Sequence, residues 1–305
     1  MKAARIHNFG GPEVIVVEDA PVPVAGPGEV LVRVAATGVG PWDALIREGK
    51  SNVSPPPPLT LGSDLSGIIE AVGPGVTEFK NGDEIYGVTN PQFCGANAEY
   101  ALAFANMIAL KPLGMTDIEA ASVPVVAVTA WQMLFDYAHA QRGQTVMILG
   151  AAGNVGAYAV QLAARAGLHV IAVAKEKETD YVRSLGAEIA VNSQIGISED
   201  TVPSVDLLID TVGGETRERS LRGLKPGGVL VTVVSSDPPS SRPDVRAVFF
   251  YVEVTTERLN TISKLFDSAE LQASVGSVLS LKEVRTAHEM LAGAPHKRGK
   301  IVLSL

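Results

Sequence analysis

The chain has 305 residues and a formal net charge of −8, and hydrophobic and charged residues make up 46% and 19% of it. This length exceeds what one hydrophobic core supports comfortably, so we expect two folded domains. The negative charge and the lack of an extended basic cluster argue against a nucleic-acid-binding protein. A single cysteine, Cys94, excludes an internal disulfide and a cysteine-clustered zinc site, and the expected location is the cytoplasm.

The first third of the sequence alternates β-rich runs such as "EVLVRVAATGV" and "EIYGV" with glycine and proline turns. This pattern predicts a strand-and-turn β-domain, either a barrel or a rolled sheet. The N-terminal "MKAARIHNFGGPEV" has no apolar segment typical of a signal peptide. The run "AASVPVVAVTAWQML" is shorter than the roughly 20 apolar residues of a membrane helix, so we predict a buried helix and no membrane interaction.

From about Pro124 the sequence alternates helices and strands, among them "TVMIL", "AYAVQLAARAG", "HVIAVA" and "VDLLID". Nearly continuous aliphatic strands separated by helices predict a parallel sheet that is covered on both faces. Two further helical segments and a final strand, "GKIVLSL", follow.

The turn in "VMILGAAGNVG" follows the dinucleotide fingerprint G-x-G-x-x-G, with alanine in the first position. A strand leads into it, a helix leads out, and the strand "HVIAVA" completes a βαβ unit. The simpler alternative is a tight strand-to-helix connection. The candidate contacts to a pyrophosphate are Ala151, Ala152, Gly153, Asn154 and Val155, and Gly156 would let the helix pack against the strand.

The end of the next strand indicates which dinucleotide binds. An acidic residue there would bond the ribose hydroxyls of NAD, but position 174 is alanine and Lys175 and Lys177 follow. We therefore predict NADPH rather than NADH, with either lysine as the partner of the 2′-phosphate. Surface lysines are otherwise ordinarily solvated.

Spaced motifs along the whole chain, including "GPGEVLVRVAATGV", "GSDLSGIIEAVGPGV", "FKNGDEIYG", "GAAGNVG" and "LLIDTVGGE", resemble the medium-chain dehydrogenase/reductase superfamily. The resemblance is to its zinc-free quinone oxidoreductase (zeta-crystallin-like) branch. It implies an α/β protein with a GroES-like β-rich catalytic domain at residues 1–123, completed by about 271–305. A Rossmann domain with a doubly wound parallel sheet would span residues 124–270.

Zinc-dependent relatives carry a cysteine and a histidine where this sequence has Gly40 and Ser63. Neither residue ligates zinc usefully, so we expect no metal. The resemblance then implies hydride transfer to a quinone or an α,β-unsaturated carbonyl, whose conjugation polarises it without a metal. The enzyme would contribute mainly proximity and orientation, and water would supply the proton.

The resemblance also implies further cofactor contacts, beside the fingerprint. These are Thr129, Lys175, Ser193, Thr211, Val212, Val233, Ser235, Phe250, Val252 and Lys300. Several have simpler alternatives: Val233 and Val252 as strand core, Thr129 bonding its own helix, and Lys300 as a solvated charge near the C-terminus.

The substrate-pocket candidates are Gly40, Trp42, Leu45, Asp64 and Thr129. Relatives of this branch commonly have asparagine at position 40 and tyrosine at position 45. Their loss argues against quinone turnover and leaves smaller or more apolar enones as acceptors. Trp42 would form either an aromatic wall of the pocket or a packing anchor. Asp64 in "GSD" and Asp43 in "PWD" follow the family pattern, and the simpler alternative for each is a residue that caps a turn.

Two functions remain open from the sequence. The leading one is an NADPH-dependent reductase, and the alternative is an NADPH-binding sensor or structural protein with little or no turnover. The apolar strand "AVFFYVEV" near the sheet edge predicts a homodimer, because relatives pair there and an exposed edge invites pairing.

Overall fold

A computed structural model describes residues 1–53, 55–194, 204–234 and 242–305. The chain divides into two compact units. The first contains Met1–Val125 and Glu253–Leu305, and the second contains Val126–Val252.

The N-terminal part of the first unit is built from short strands joined by turns. Its elements are β1 (Lys2–Ile6), β2 (Val16–Asp19), β3 (Glu29–Val39), α1 (Pro41–Arg47), β4 (Leu59–Thr60), β5 (Asp64–Val72), β6 (Glu84–Val88), β7 (Tyr100–Phe104), β8 (Ile108–Leu110) and α2 (Asp117–Ala121). The long strand β3 pairs antiparallel with both β5 and β7. Its valines and alanines are mostly buried, as expected for a strand with neighbours on both edges.

The second unit alternates helices and strands, as the sequence predicts. Its elements are α3 (Pro124–Trp131), β9 (Thr145–Leu149), α4 (Asn154–Arg165), β10 (His169–Ala174), α5 (Thr179–Ser184), β11 (Ile189–Asn192), β12 (Val205–Asp210), α6 (Gly214–Ser220), β13 (Leu224–Thr232) and β14 (Arg246–Phe249). The strands form one parallel sheet in the order β11-β10-β9-β12-β13-β14. Counted from β9, this is the Rossmann order 3-2-1-4-5-6.

The apolar run around position 126 forms the buried helix α3 and continues into a π-helical segment, Gln132–Tyr137. Side chains from Val125 to Ala130 are buried. Within the described ranges, no helix combines the length and the hydropathy that crossing a bilayer requires.

The last part of the chain returns to the first unit. It consists of α7 (Thr256–Asp267), β15 (Val275–Ser280), α8 (Val284–Leu291) and β16 (Lys300–Ser304). β16 pairs antiparallel with β3 and parallel with β15, which gives the sheet order β15-β16-β3-β5-β6-β8. The C-terminal strand therefore completes the sheet that the N-terminal strands begin.

Helix α7 also packs in the first unit, although the sequence prediction assigned it to the Rossmann domain. The Tyr86 hydroxyl lies 2.8 Å from the Leu259 carbonyl oxygen, to which it donates, and Thr256 Oγ1 donates to the Ile108 carbonyl at 2.7 Å. These polar anchors give a physical reason for the position of α7, since its own sequence pattern indicates only an amphipathic helix.

Candidate functional site

The glycine turn joins β9 to α4 at the centre of the parallel sheet. A Cβ atom at Gly156 would overlap the Gly150 carbonyl oxygen and lie 2.8 Å from Ala151 Cα. Such overlaps are with backbone, which has little room to move, so only glycine allows this approach of α4 to the turn. At Gly153 the same atom would lie 3.1 Å from the Gly150 oxygen, a much milder contact.

The start of α4 has the features of an anion-binding site. Gly153 is its N-cap and offers no side chain to bond the first-turn N–H groups. These groups, including those of Asn154 and Val155, have no acceptors within the helix, and the helix dipole adds partial positive charge. Ala151 and Ala152 are small and buried. The turn thus fits the pyrophosphate of a dinucleotide.

A buried aspartate that the sequence prediction missed holds the adjacent turn after β12. The Asp210 carboxylate accepts hydrogen bonds from the backbone N–H groups of Val212 and Gly213, at 3.0 and 2.7 Å, and from Thr232 Oγ1 at 2.9 Å. Thr211 Oγ1 donates to the Leu149 carbonyl at 2.8 Å. The signal for Asp210 was an acidic residue directly after the aliphatic run "LLI" at the end of the strand "VDLLID".

These bonds bring several candidate residues to one edge of the sheet. Thr211 and Val212 lie beside the glycine turn, where a Cβ atom at Gly150 would be 2.5 Å from Thr211 Oγ1. The Val233 N–H donates to the Asp210 carbonyl at 3.3 Å. Because the strands are parallel, their carboxyl ends meet at this edge, which is where α/β sheets of this topology bind ligands.

The carboxyl ends of β10 and β11 place the adenosine-side candidates together. The Ser193 N–H donates to the Ala174 carbonyl at 2.8 Å, which sets Ser193 beside Lys175. Lys175 and Lys177 are exposed. Neither ammonium group forms an ion pair with the residues that the structure describes.

The other candidates of the second unit have varied surroundings. Phe250 is 7% exposed and stacks on Tyr137 with ring centroids 4.3 Å apart, so it has a packing role whether or not it also contacts a cofactor. Thr129 is buried in α3, and Val252 is half-buried. Ser235 lies outside the described residues. Contact of these residues with a cofactor stays a prediction.

In the first unit, the Trp42 indole fills the volume that a side chain at position 40 would need. A Cβ atom at Gly40 would overlap the Trp42 ring, lying 2.5 and 2.6 Å from Cζ3 and Cζ2. The indole Nε1–H donates to Ser63 Oγ at 2.9 Å. The two positions that carry zinc ligands in zinc-dependent relatives are therefore both in contact with one tryptophan.

Across the described ranges, no three His, Cys, Asp or Glu side chains group as metal ligands, and the lack of a metal stays a prediction.

A buried ion pair lies against the same ring. Lys300 Nζ is 2.8 Å from Asp64 Oδ2, and the two side chains are 1% and 0% exposed. The ammonium lies 4.0 Å from the centroid of the Trp42 ring, within cation–π distance. Asp64 Oδ1 accepts the Val125 N–H at 3.1 Å. The alternative interpretation of Lys300 as a solvated charge is wrong.

Strand pairing explains why residues so distant in sequence meet. Gly38 lies opposite Asp64 in the β3–β5 ladder and opposite Val302 in the β16–β3 ladder. A Cβ atom at Gly38 would lie 2.7 Å from Lys300 Cε and 3.0 Å from Asp64 Cβ. The glycine makes room for the ion pair, a role that the sequence analysis missed.

Asp43 is a second buried carboxyl group close to this pair. Its Oδ2 accepts the Gly40 N–H at 2.7 Å, so it caps the start of α1 as the simpler interpretation predicts. Its Oδ1 is buried and has no hydrogen-bond partner among the described residues. Burial raises the pKa of Asp43 to about 7, although the Gly40 N–H and the Lys300 ammonium favour the ionised form.

Comparison with known proteins identifies the family. The family model described as the alcohol dehydrogenase GroES-like domain matches residues 26–134, and the one described as zinc-binding dehydrogenase matches residues 185–303. The quinone oxidoreductase of Lama guanicoe is 32% identical over 324 residues, which cover 100% of this chain and 98% of that protein. A mitochondrial NAD(P)H oxidoreductase of Mus musculus is 33% identical over 260 residues, covering 77% of this chain and 66% of that protein.

The solved structure of the quinone oxidoreductase from Coxiella burnetii has the same fold. It is 31% identical, its TM-score is 0.91, and the alignment covers 100% of this chain and 99% of that one. The chain belongs to the quinone oxidoreductase branch of the medium-chain dehydrogenase/reductase superfamily. It is an oxidoreductase with a GroES-like domain and a Rossmann domain, and the predicted family and fold class are confirmed.

Proposed function

We propose that this oxidoreductase transfers hydride from NADPH to a quinone or an α,β-unsaturated carbonyl without a metal ion. The observation that carries the proposal is the turn at Gly150, where α4 approaches so closely that Gly156 has no room for a side chain. Such a turn, at the centre of a parallel sheet, leaves backbone N–H groups free for a pyrophosphate. The NAD(P)H oxidoreductase and quinone oxidoreductases among the relatives support a nicotinamide cofactor.

The preference for NADPH rests on the end of β10. Ala174 replaces the acid that would bond the ribose of NAD, and the exposed Lys175 follows directly. Ser193 lies beside it through the bond to Ala174. The Lys175 ammonium, which has no ion-pair partner in the described parts of the chain, favours a 2′-phosphate electrostatically, with Lys177 as the second candidate partner.

The protein's contribution to the reaction is binding and orientation. When bound, NADPH supplies the hydride. The first turn of α4 would hold its pyrophosphate. Thr211, which bonds the Leu149 carbonyl, and Val212 and Val233, which bond Asp210, would line the site at the carboxyl ends of the strands. Correct placement of two reactants is worth about 7–11 kcal/mol in ideal cases, so no metal is required for a conjugated acceptor.

The first test is a fluorescence titration of the purified protein with NADPH and with NADH, followed by addition of trans-2-hexenal or menadione. We expect tighter binding of NADPH and loss of its fluorescence on adding an acceptor. Tight binding of NADPH without turnover on a broad panel would favour the sensor or structural alternative. Absence of binding to either nucleotide would contradict the proposal.

We also propose a homodimer formed through β14, which ends the described order of the parallel sheet. Beyond it, Tyr251 is 69% exposed and meets Phe249 edge to face, with ring centroids 5.2 Å apart. An edge strand followed by an exposed aromatic residue favours pairing with a second copy. Light scattering should give twice the mass of the chain, and Val248→Pro should give monomers because proline removes a donor from the strand. A wild-type monomer would contradict the proposal.

A further inference from the structure

Strand β12 differs from its neighbours in the parallel sheet at its carboxyl end. Among the described strands of this sheet, it is the one that ends at a charged residue, Asp210. The other five end at uncharged residues, which are Leu149, Ala174, Asn192, Thr232 and Phe249. Asp210 is 0% exposed. A carboxyl group is therefore buried at the edge where a sheet of this topology binds its ligand.

The hydrogen bonds of Asp210 do not by themselves require a negative charge. Its Oδ1 accepts the N–H groups of Val212 and Gly213, and its Oδ2 accepts the Thr232 hydroxyl. An asparagine would accept the same two N–H groups and donate to the hydroxyl oxygen instead. A buried carboxylate is costly without a positive partner, and no lysine, arginine or histidine of the described ranges forms an ion pair with Asp210. The turn alone thus gives no reason for the charge.

The strand order indicates which half of a dinucleotide lies closest to this charge. β9, which leads into the glycine turn, lies between β10 and β12. The adenosine-side candidates follow β10 and β11, so the nicotinamide half would extend over β12 and β13. Thr211 and Val212 follow β12 and lie against the turn, where a Cβ atom at Gly150 would be 2.5 Å from Thr211 Oγ1 and 2.8 Å from Val212 Cγ2. Asp210 directly precedes this segment and bonds it.

From this placement we infer that the Asp210 carboxylate is a counter-charge for the oxidised nicotinamide ring. The inference rests on the proposed function, which assigns a nicotinamide cofactor to this edge. When the cofactor gives a hydride, with its electron pair, to the acceptor carbon, its ring changes from neutral to singly positive. A fixed negative charge attracts only the positive form, so Asp210 favours the oxidised cofactor over the reduced one and assists loss of the hydride.

The test compares the dissociation constants of NADP⁺ and NADPH in the full-length protein. NADPH is titrated by its fluorescence, and NADP⁺ by displacement of NADPH. For Asp210→Asn we expect the ratio Kd(NADP⁺)/Kd(NADPH) to rise about tenfold, because only the oxidised ring loses an attraction. The rise should be the same for NAD⁺ and NADH, which carry the same rings. High salt should not abolish it, since buried charges are weakly screened.

Two control variants separate the charge from the structure of the turn. Thr232→Val removes one hydrogen bond of the carboxylate and keeps its charge, so both dissociation constants should change by the same factor. Asp206→Asn removes the same formal charge from the other end of β12, where Asp206 pairs with Lys225 at 2.7 Å. The two aspartates are about 13 Å apart along the strand. Asp206→Asn should therefore keep the wild-type ratio.

The outcomes separate the inference from the proposed function. If Asp210→Asn keeps the wild-type ratio, or changes both dissociation constants equally, the inference is overturned and the proposed function stands. A wild type that binds neither the oxidised nor the reduced nucleotide would overturn the proposed function, and the inference with it. If Asp210→Asn does not fold, Asp210→Ser replaces it, because a serine hydroxyl also accepts backbone N–H groups in turns. An unchanged ratio in that variant has the same meaning.

Discussion

The glycine turn between β9 and α4 and the cluster around Trp42 both depend on glycines that make room, but they are assembled differently. The turn uses residues that follow one another from Gly150 to Gly156. The cluster joins Gly40, Asp64 and Lys300, which only the pairing of β3 with β5 and β16 brings together. A motif formed by consecutive residues is visible in sequence, whereas one formed across a sheet depends on topology and register.

The largest expected effect in this comparison is the loss of the buried ion pair. Lys300→Met leaves the Asp64 carboxylate buried without its partner, which typically costs about 3–5 kcal/mol. We expect the free energy of unfolding, measured by urea titration without nucleotide, to fall by this order. The double variant Lys300→Met/Asp64→Asn should recover part of the loss, and the exposed Lys297→Met should change little. Equal free energies of unfolding for Lys300→Met and wild type would contradict a stabilising role of the ion pair.

Asp43 predicts a pH dependence of stability. Its pKa rises from 3.8 to about 7 on folding, so the folded state binds the proton more tightly and ionisation lowers stability as the pH rises between these values. The Asp43→Asn variant has no carboxyl group to ionise at this position and so avoids this loss of stability. The difference between its free energy of unfolding and that of the wild type should increase by roughly 4 kcal/mol at most from pH 4 to pH 7, and then stay level. Urea titrations across this range check it, and a difference independent of pH would contradict it.

The glycine turn is tested by adding single methyl groups. Gly156→Ala should destabilise the protein by about 1–3 kcal/mol and weaken NADPH binding, because the new Cβ overlaps the Gly150 carbonyl. Gly153→Ala is the matched control, since its Cβ would meet the same oxygen at 3.1 Å and requires only a small shift. Thermal unfolding and nucleotide titration measure both variants. A larger effect at Gly153 than at Gly156 would show that packing does not explain the turn.

The smallest expected effect concerns the choice of nucleotide. Lys175→Ala should weaken NADPH binding about tenfold, or ~1.4 kcal/mol, and leave NADH binding unchanged, because only NADPH carries the 2′-phosphate. Lys177→Ala, measured in the same titration, distinguishes the two lysines. If neither variant changes the ratio of the two affinities, the proposed preference has another origin.

The sequence by itself was sufficient for the parallel sheet, the glycine turn between β9 and α4, and the family. Aliphatic strands alternating with helices leave few topologies, and Gly156 reflects a local backbone requirement of the turn. Those features depend on neighbours in the chain, which sequence displays directly.

Only the tertiary structure decided the state of Lys300, the roles of Gly38 and Asp210, and the placement of α7 in the first unit. Lys300 is the first residue of β16 and has the sequence pattern of an exposed charge, yet the register of β16 on β3 buries it against Asp64 and Trp42. The free energy of such contacts depends on partners hundreds of residues away, and a local pattern of residue types does not encode which partners those are.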